Sequence, residues 1–327
     1  VTRPVRPRCQ PTGRCGTQSG EIVRSVRRAV EVAGDIGREQ SAGRYWGMSD
    51  SANFLSLYDE QLRTDAETPS AISVERHGPL RLVTFGGGRG FITYRDLGGA
   101  DAVAIRHLVT EALDHYRADP EINRVEWKTR GHDHAPGLHG ALLENGFIPD
   151  EPESIMIGAA KDLALDVPLP AGVTLRRVTG EADVRAMTRM EAEVFGDSDA
   201  DDVAATLLYR LSLGDGMELW VAEAEGQIVS AGRLEPVPGT DFAGIWGGAT
   251  REQWRRRGIY RALTAARARS ALRMGKTLIN SDSTEYSRPI LERSGLMKVS
   301  TTTPIAGAVS TARAVFTTES GVVPPGS

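Results

Sequence analysis

The sequence predicts an α/β protein (α+β, mixed sheet) built from two successive series of strands and helices. Three observations predict it. Apolar spacing alternates between a period of two and a period near 3.6 across residues 50–157, and does so again across 172–303. A segment at 161–170, carrying Pro168 and Pro170, separates the two series. Near Gly258 a strand-like run, 241–250, gives way within a few residues to a helical stripe of Ile259, Ala262, Leu263 and Ala266. A chain of 327 residues suits two domains, and 40% apolar with 25% charged residues is the composition of a soluble globular protein.

The first 48 residues differ from the rest. Arginines at 3, 6, 8, 14, 24, 27 and 28 stand among proline, glycine and serine, and no apolar h-region follows. This segment reads as a disordered tail, or as translated sequence upstream of a start at Met48, in preference to a targeting peptide. Residues 23–32 have the spacing of a short helix. Ordered sequence is expected from about Asp50, where Phe54, Leu55, Tyr58 and Leu62 have helical spacing. Strands are expected at 80–85 and 91–94 around the turn Gly86-Gly87-Gly88-Arg89-Gly90. A helix is expected over 102–116 with Ile105, Leu108, Val109 and Leu113 inward. A strand at 122–128, a helix at 138–144 ended by Asn145-Gly146, and a strand at 153–157 complete the first series.

The second series opens with a strand at 172–178 and helices at 181–194 and 201–213. A hairpin of 219–224 and 227–235 turns at Glu225-Gly226. The strand 241–250 and the helix from Gly258 to Gly275 follow, then a strand at 277–281, a helix at 287–293 closed by Ser294-Gly295, and a strand at 298–303. The expected divisions are 1–48, 49–165, 166–306 and 307–327.

The formal net charge of −4 gives no case for nucleic acid as a partner, and no apolar run approaches the roughly 20 residues of a membrane span. Both cysteines, Cys9 and Cys15, lie in the first segment, so the remainder has neither a disulfide frame nor a thiolate metal site. A cytoplasmic protein is expected. All six histidines lie in the first half. His132, Asp133, His134 and His139 supply no complete metal-ligand set and read as a capped turn. The glycine cluster at 86–90 lies between two strands and reads as a hairpin rather than a phosphate loop. Gly275-Lys276-Thr277 follows a helix and precedes a strand, the reverse of a Walker A order.

The stretch Trp254-Arg255-Arg256-Arg257-Gly258-Ile259-Tyr260 sets basic residues and a glycine at a helix start. Free N–H groups and the positive dipole end bind phosphate oxygens there, and glycine permits close approach. It resembles the pyrophosphate-binding motif of the GNAT superfamily of acyl-CoA-dependent N-acetyltransferases, Gln/Arg-x-x-Gly-x-Gly/Ala. Arg255, Gly258 and Tyr260 occupy the specified places, and Tyr260 departs from the small residue. The run Pro289-Ile290-Leu291-Glu292-Arg293-Ser294-Gly295-Leu296 resembles the superfamily's closing helix and turn, so the likeness covers about 172–305. The first series resembles a degenerate copy: Leu142-x-x-x-Gly146-Phe147 mirrors the closing half, whereas Arg95 to Ala102 lacks the arginine–glycine arrangement. Two tandem GNAT domains are implied, with the intact site in the second.

The resemblance implies an N-acetyltransferase that moves an acetyl group from acetyl-CoA to an amine by direct attack in a ternary complex, without a metal. It implies that Gly248, Ala249 and Thr250 pair with the pantetheine arm and that the backbone of Arg256, Arg257, Gly258, Ile259 and Tyr260, beside Arg255, holds the pyrophosphate. The superfamily's base and acid are often a strand glutamate and a closing-helix tyrosine, but Trp246 and Leu291 stand at those places here. Asp282, Glu285 and Tyr286 are the nearest polar candidates, with Tyr286 as acid, although it also reads as an ordinary loop tyrosine. Glu191 and Glu193 read as a solvated helix face or, alternatively, as the lining of the acceptor site. The acceptor is open among a small amine, an aminoglycoside-like compound, an amino acid and a protein N-terminus, and so is the oligomeric state. The rival reading is a non-catalytic acyl-CoA sensor or a GNAT-like scaffold.

Overall fold

The structure is a computed structural model that describes residues 48–196 and 198–309. The arginine-rich first segment, the helix expected at 23–32 and most of the expected C-terminal tail lie outside the described residues. In chain order the elements are α1 (Met48–Gln61), β1 (Ser73–His77), β2 (Leu80–Phe85), β3 (Arg89–Tyr94), α2 (Ala102–Ala118), β4 (Arg124–Arg130), α3 (Leu138–Glu144), β5 (Ile148–Pro149), β6 (Glu153–Ala159) and α4 (Ala160–Leu163). They continue as β7 (Val173–Val178), α5 (Glu181–Phe195), α6 (Ala200–Leu213), β8 (Glu218–Ala224), β9 (Gln227–Pro236), β10 (Phe242–Thr250), α7 (Ile259–Arg273), β11 (Leu278–Ser283), α8 (Arg288–Ser294) and β12 (Met297–Ala308). Short 3-10 turns lie at Asp65–Glu67 and Glu252–Trp254.

The chain divides into two compact units. Of the described residues, the larger takes in 48–67, 130–132 and 151–302, and the smaller takes in 68–129, 133–150 and 303–309. The expected boundary at 165/166 therefore falls inside the larger unit, which also includes α1 and β6. The physical reason is strand pairing. β6, the last strand of the first series, lies between β11 and β12. It pairs antiparallel with β11 from Leu278↔Ala159 to Ser283↔Ser154, and with β12 from Met297↔Ile157 to Thr302↔Glu153. β12 runs on to Ala308, past the expected end at 303, and Ile305 and Ala306 pair with β5 in the smaller unit. Each unit is thus completed by a strand from the other half of the sequence.

In the larger unit the strand order is β12-β6-β11-β10-β9-β8-β7. β7 to β10 form an antiparallel meander, and β10 and β11 are parallel, joined through α7. The β8–β9 turn has positive φ at both Glu225 (53°) and Gly226 (72°), the pattern of a type I′ hairpin. Met156, Leu234, Ala243, Ile245, Ala268 and Ile279 share one core cluster, and Val184, Met187, Leu207, Leu219 and Ala231 share another. In the smaller unit β1, β2 and β3 are antiparallel, and β3 and β4 are parallel around α2. Its core holds Ile92, Ile105, Val109, Leu113, Trp127, Leu142 and Phe147. Strand β1 is missing from the sequence expectation because Ser73-Val74-Glu75-Arg76-His77 carries one apolar residue, and its five positions are exposed or half-buried.

The insertion of β6 leaves no room at Gly158. A Cβ there would lie 2.8 Å from the Gly295 carbonyl oxygen and 3.2 Å from Leu296 Cα. Gly158→Ala is expected to lower stability by about 1–3 kcal/mol through overpacking. Gly140→Ala, in α3 with nothing within 4 Å of the added carbon, is expected to raise it by about 0.5–1 kcal/mol through helix propensity. Urea unfolding of both variants checks the pair; equal shifts would place β6 wrongly.

Candidate functional site

The βαβ unit β10–α7–β11 carries the residues the sequence singles out. β10 pairs with β11 from Phe242↔Leu278 to Gly244↔Asn280, and no further β10–β11 partners follow among the described residues. β11 continues to pair with β6 as far as Ser283. On its other side β10 pairs with β9, but the register shifts between Trp246 and Ala249. The two intervening residues are Gly247, with φ of 61°, and Gly248. This is a bulge at which β10 bends, and glycine is required at the positive φ. Ser230 Oγ ties down the far end by donating to the Ala249 carbonyl at 2.6 Å and lying 2.8 Å from Thr250 Oγ1.

The chain then turns into α7. Arg255 Nε donates to the Thr250 carbonyl at 3.0 Å and holds the turn against the strand end. Arg256 and Gly258 both have positive φ, 62° and 78°. Such alternation turns successive N–H groups to one side, a nest for anions. No side chain caps α7, and its first intrahelical acceptor, the Gly258 carbonyl, takes the Ala262 N–H at 2.9 Å. The N–H groups of Ile259, Tyr260 and Arg261 therefore have no intrahelical partner. Gly258 is exposed, and a Cβ added to it would meet nothing within 4 Å. Arg257 stacks 4.8 Å over the Trp254 ring, and both Arg256 and Arg257 are exposed.

The equivalent helix of the smaller unit differs at this point. Between parallel β3 and β4, α2 begins at Asp101, whose carboxylate accepts from the Val103 and Ala104 N–H groups at 3.0 and 2.9 Å. Those donors are satisfied and carry a negative charge, which opposes an anion.

Two glycines make room for two polar side chains in the larger unit, and a third, Gly247, lies beside Glu191 and Arg233. A Cβ at Gly248 would collide with the Tyr260 ring, 2.7 Å from its hydroxyl oxygen. Tyr260, the departure from the motif, thus packs on the bare strand backbone. A Cβ at Gly232 of β9 would lie 2.5–2.9 Å from the Arg267 guanidinium. Arg267 is 1% exposed, donates to the Arg233 and Leu263 carbonyls at 3.1 and 3.4 Å, and lies 5.9 Å from the Tyr260 ring centre. Burial pulls its pKa below the usual guanidinium range. A Cβ at Gly247 would lie 3.4 Å from Glu191 Oε1 and 3.7 Å from the Arg233 guanidinium.

Glu191 corrects the expectation of a solvated helix face. It is 7% exposed, near the end of α5, and Oε1 has no hydrogen-bond partner among the described residues. Burial raises its pKa from the ordinary 4.5 to about 7, partly opposed by Arg233 and Arg267. Glu193, two residues on, fits the solvated reading and pairs with Arg251 at the surface. Sequence periodicity does not distinguish the two, because Glu191 is buried against residues distant in sequence, Gly247 and Arg233 among them.

The places usually held by an acid and a base are apolar as expected. Leu291 is 1% exposed in the core. Trp246 is half-buried, with its ring over the bare Gly244. Asp282 lies on β11 opposite Ile155 of β6 and is half-buried, and Tyr286 is 41% exposed in the turn between β11 and α8. His132 lies in a different cluster of the larger unit, 2.7 Å from Ser300 Oγ and 3.1 Å from Asp59 Oδ1, with Arg63 3.0 Å from its Nε2. The contacts with Arg63 and His132 draw the Asp59 carboxyl below its ordinary pKa despite burial.

A carboxyl that is protonated more readily in the folded chain than in the unfolded one stabilises the fold at low pH. That stabilisation is complete below about pH 4.5 and is lost as pH rises through about 7. Relative to Glu191→Gln, the parent is expected to lose about 3 kcal/mol of unfolding free energy across this window. Urea unfolding of both proteins from about pH 4 to 9 checks it. A difference that stays flat with pH would mean that the carboxyl is solvated.

Residues 184–295 match the acetyltransferase (GNAT) family. No curated protein sequence matches the chain. Among solved structures, a GCN5-related N-acetyltransferase from Kribbella flavida is similar over 80% of this chain and 96% of its own, at 18% identity and a TM-score of 0.53. A functionally unknown conserved protein from Staphylococcus epidermidis ATCC 12228 is similar over 74% of this chain and 96% of its own, at 14% identity and a TM-score of 0.57. A tandem GNAT protein from the clavulanic acid biosynthesis pathway is similar over 79% and 96%, at 15% identity and a TM-score of 0.53. At these identities the structural likeness is one of fold, and it agrees with a mixed α/β protein of the tandem type. The segment that matches the GNAT acetyltransferase family runs from α5 to the end of α8, within the larger unit, and the solved structures share its fold.

Proposed function

We propose that the second series carries an acetyl-CoA-dependent N-acetyltransferase site that acts by direct attack in a ternary complex. The observation that carries the reading is a strand edge beside an uncapped helix start: beyond Gly244 the β10–β11 ladder ends, the Ile245 carbonyl accepting from the Ser281 side chain, and β10 leads through the Arg255–Gly258 turn into the open N–H groups of α7. In this reading Gly248, Ala249 and Thr250 pair with the pantetheine arm as a strand would. The N–H groups of Arg256, Arg257, Gly258, Ile259 and Tyr260 hold the pyrophosphate, while Arg255 holds the turn in shape. The exposed Arg256 and Arg257 add charge. The fit is favourable on the chain's own terms, since the space at Gly258 is open and its φ of 78° admits little but glycine.

An N–H from β10 polarises the thioester carbonyl, and Tyr286, exposed beside β11, donates a proton to the leaving thiolate, with Asp282 flanking it. Asp101 at the head of α2 disfavours a second donor site in the smaller unit. The amine acceptor is unassigned. The buried Glu191 favours an enzyme over a sensor, because burying a carboxyl without a partner costs stability and has no use in mere cofactor retention.

Calorimetric titration of acetyl-CoA into the parent and into Gly258→Glu tests the reading. The parent is expected to bind, and the variant to lose at least 100-fold in affinity, since the new side chain brings strain and a negative charge to the phosphate position. Equal affinity would remove the α7 start from the donor site, and absence of binding by the parent would remove the acetyltransferase reading.

A further inference from the structure

Glu191 is a buried carboxyl with an unpaired oxygen placed at the point where β10 bends. The charged groups that act on it, Arg233 and Arg267, each have another contact. From β9, Arg233 pairs with Glu235 at 3.2 Å, and Glu235 in turn accepts from Arg210 at 2.7 Å. From α7, Arg267 is committed to backbone carbonyls, and Tyr260 lies against Gly248. β10 presents only the backbone of Gly247. On α5 itself the nearest buried polar neighbour, Thr188, donates to the Arg185 carbonyl of its own helix. The carboxyl therefore has two cations nearby, neither bound to Oε1, and faces the residue next to Trp246.

Resting on the acetyltransferase reading above, we propose that Glu191 is the proton acceptor of the transfer step, supplied from α5 instead of from β10. An ammonium group entering beside the bulge gives one proton to the Glu191 carboxylate, directly or over one water, and becomes the free amine. Its nitrogen lone pair then forms the new C–N bond to the acetyl carbonyl carbon. The C–S bond breaks with its electron pair on sulfur, the thiolate takes a proton from Tyr286, and the second nitrogen proton restores the Tyr286 hydroxyl. Glu191 returns its proton to solvent. The sum is an ammonium and acetyl-CoA converted to an acetamide, free CoA and one proton. A carboxyl raised to about 7 is matched to this task near neutral pH. Glu193, paired with Arg251 at the surface, does not share it.

Acetyl-CoA itself is the probe. If Glu191 lines the acyl position, covering the bulge desolvates it further and raises its affinity for a proton. Calorimetry of acetyl-CoA binding to the full chain at pH 7, in two buffers of different ionisation enthalpy, is expected to show net proton uptake by the parent. Uptake should vanish in Glu191→Gln, with acetyl-CoA affinity within about threefold of the parent. In thiol-release assays with primary amines, kcat should fall by about 100-fold in Glu191→Gln with KM for acetyl-CoA little changed, and Glu191→Asp should recover part of it. Binding with the same proton uptake in Glu191→Gln, or binding by the parent without uptake, would overturn the role of Glu191 while leaving the acetyltransferase reading intact. Failure of the parent to bind acetyl-CoA would instead overturn that reading, and the proposal with it.

Discussion

The absence of side chains at Gly232 and Gly248 is the constraint on which the larger unit's candidate site depends. Two adjacent strands are bare at neighbouring positions, and Arg267 and Tyr260 fill the space from α7. Without those glycines the guanidinium of Arg267 would have no route to the Arg233 carbonyl, and α7 would stand off from β9 and β10. The same glycines let β10 change register against β9, which ends regular pairing and directs the strand into the turn at Arg255. One feature of sequence thus sets both the bend of the strand and the packing of the helix. Interiors are packed too closely for these to vary separately.

The two βαβ units show how one architecture is made open or closed to an anion. Both join parallel strands through a helix that starts at the strand's carboxyl end. In the larger unit that helix begins at a glycine with positive φ and has no cap. In the smaller one Asp101 fills the same role with its own carboxylate, which gives the helix a stabilising N-cap. A single residue at the helix start therefore exchanges a place for a ligand for local stability. Through β6 and the end of β12, the sheet of each series includes a strand from the other half of the sequence.

Local signals in the sequence carry most of the elements. The stripe of Ile259, Ala262, Leu263 and Ala266 marks α7, Glu225-Gly226 marks the hairpin, and Gly275 and Gly295 mark helix ends with φ of 76° and 108°. What is not legible is non-local. Whether a strand such as β6 closes the sheet of its own series or of the next is a matter of long-range pairing, and its hydrophobic run reads alike in both. Glu191 and Glu193 have the same chemistry two residues apart, and packing against distant strands decides which is buried. Tyr260 looks like a damaged motif because its partner, Gly248, is invisible to any local pattern.

Moving a proton acceptor from β10 to α5 changes what controls the reaction. A glutamate on the strand that holds the donor would be positioned by donor binding. Glu191 belongs to a helix packed through Val184, Met187 and Met190 into the core, so its position is set by folding before either substrate arrives. Trp246 is then free to fold over Gly244, shaping the apolar wall of the bend instead of carrying charge. The penalty is the desolvation of a carboxylate, and Arg233 and Arg267 offset only part of it because both are engaged elsewhere. That incomplete compensation is useful: a fully paired carboxylate would hold its charge too firmly to take a proton from an amine near neutral pH.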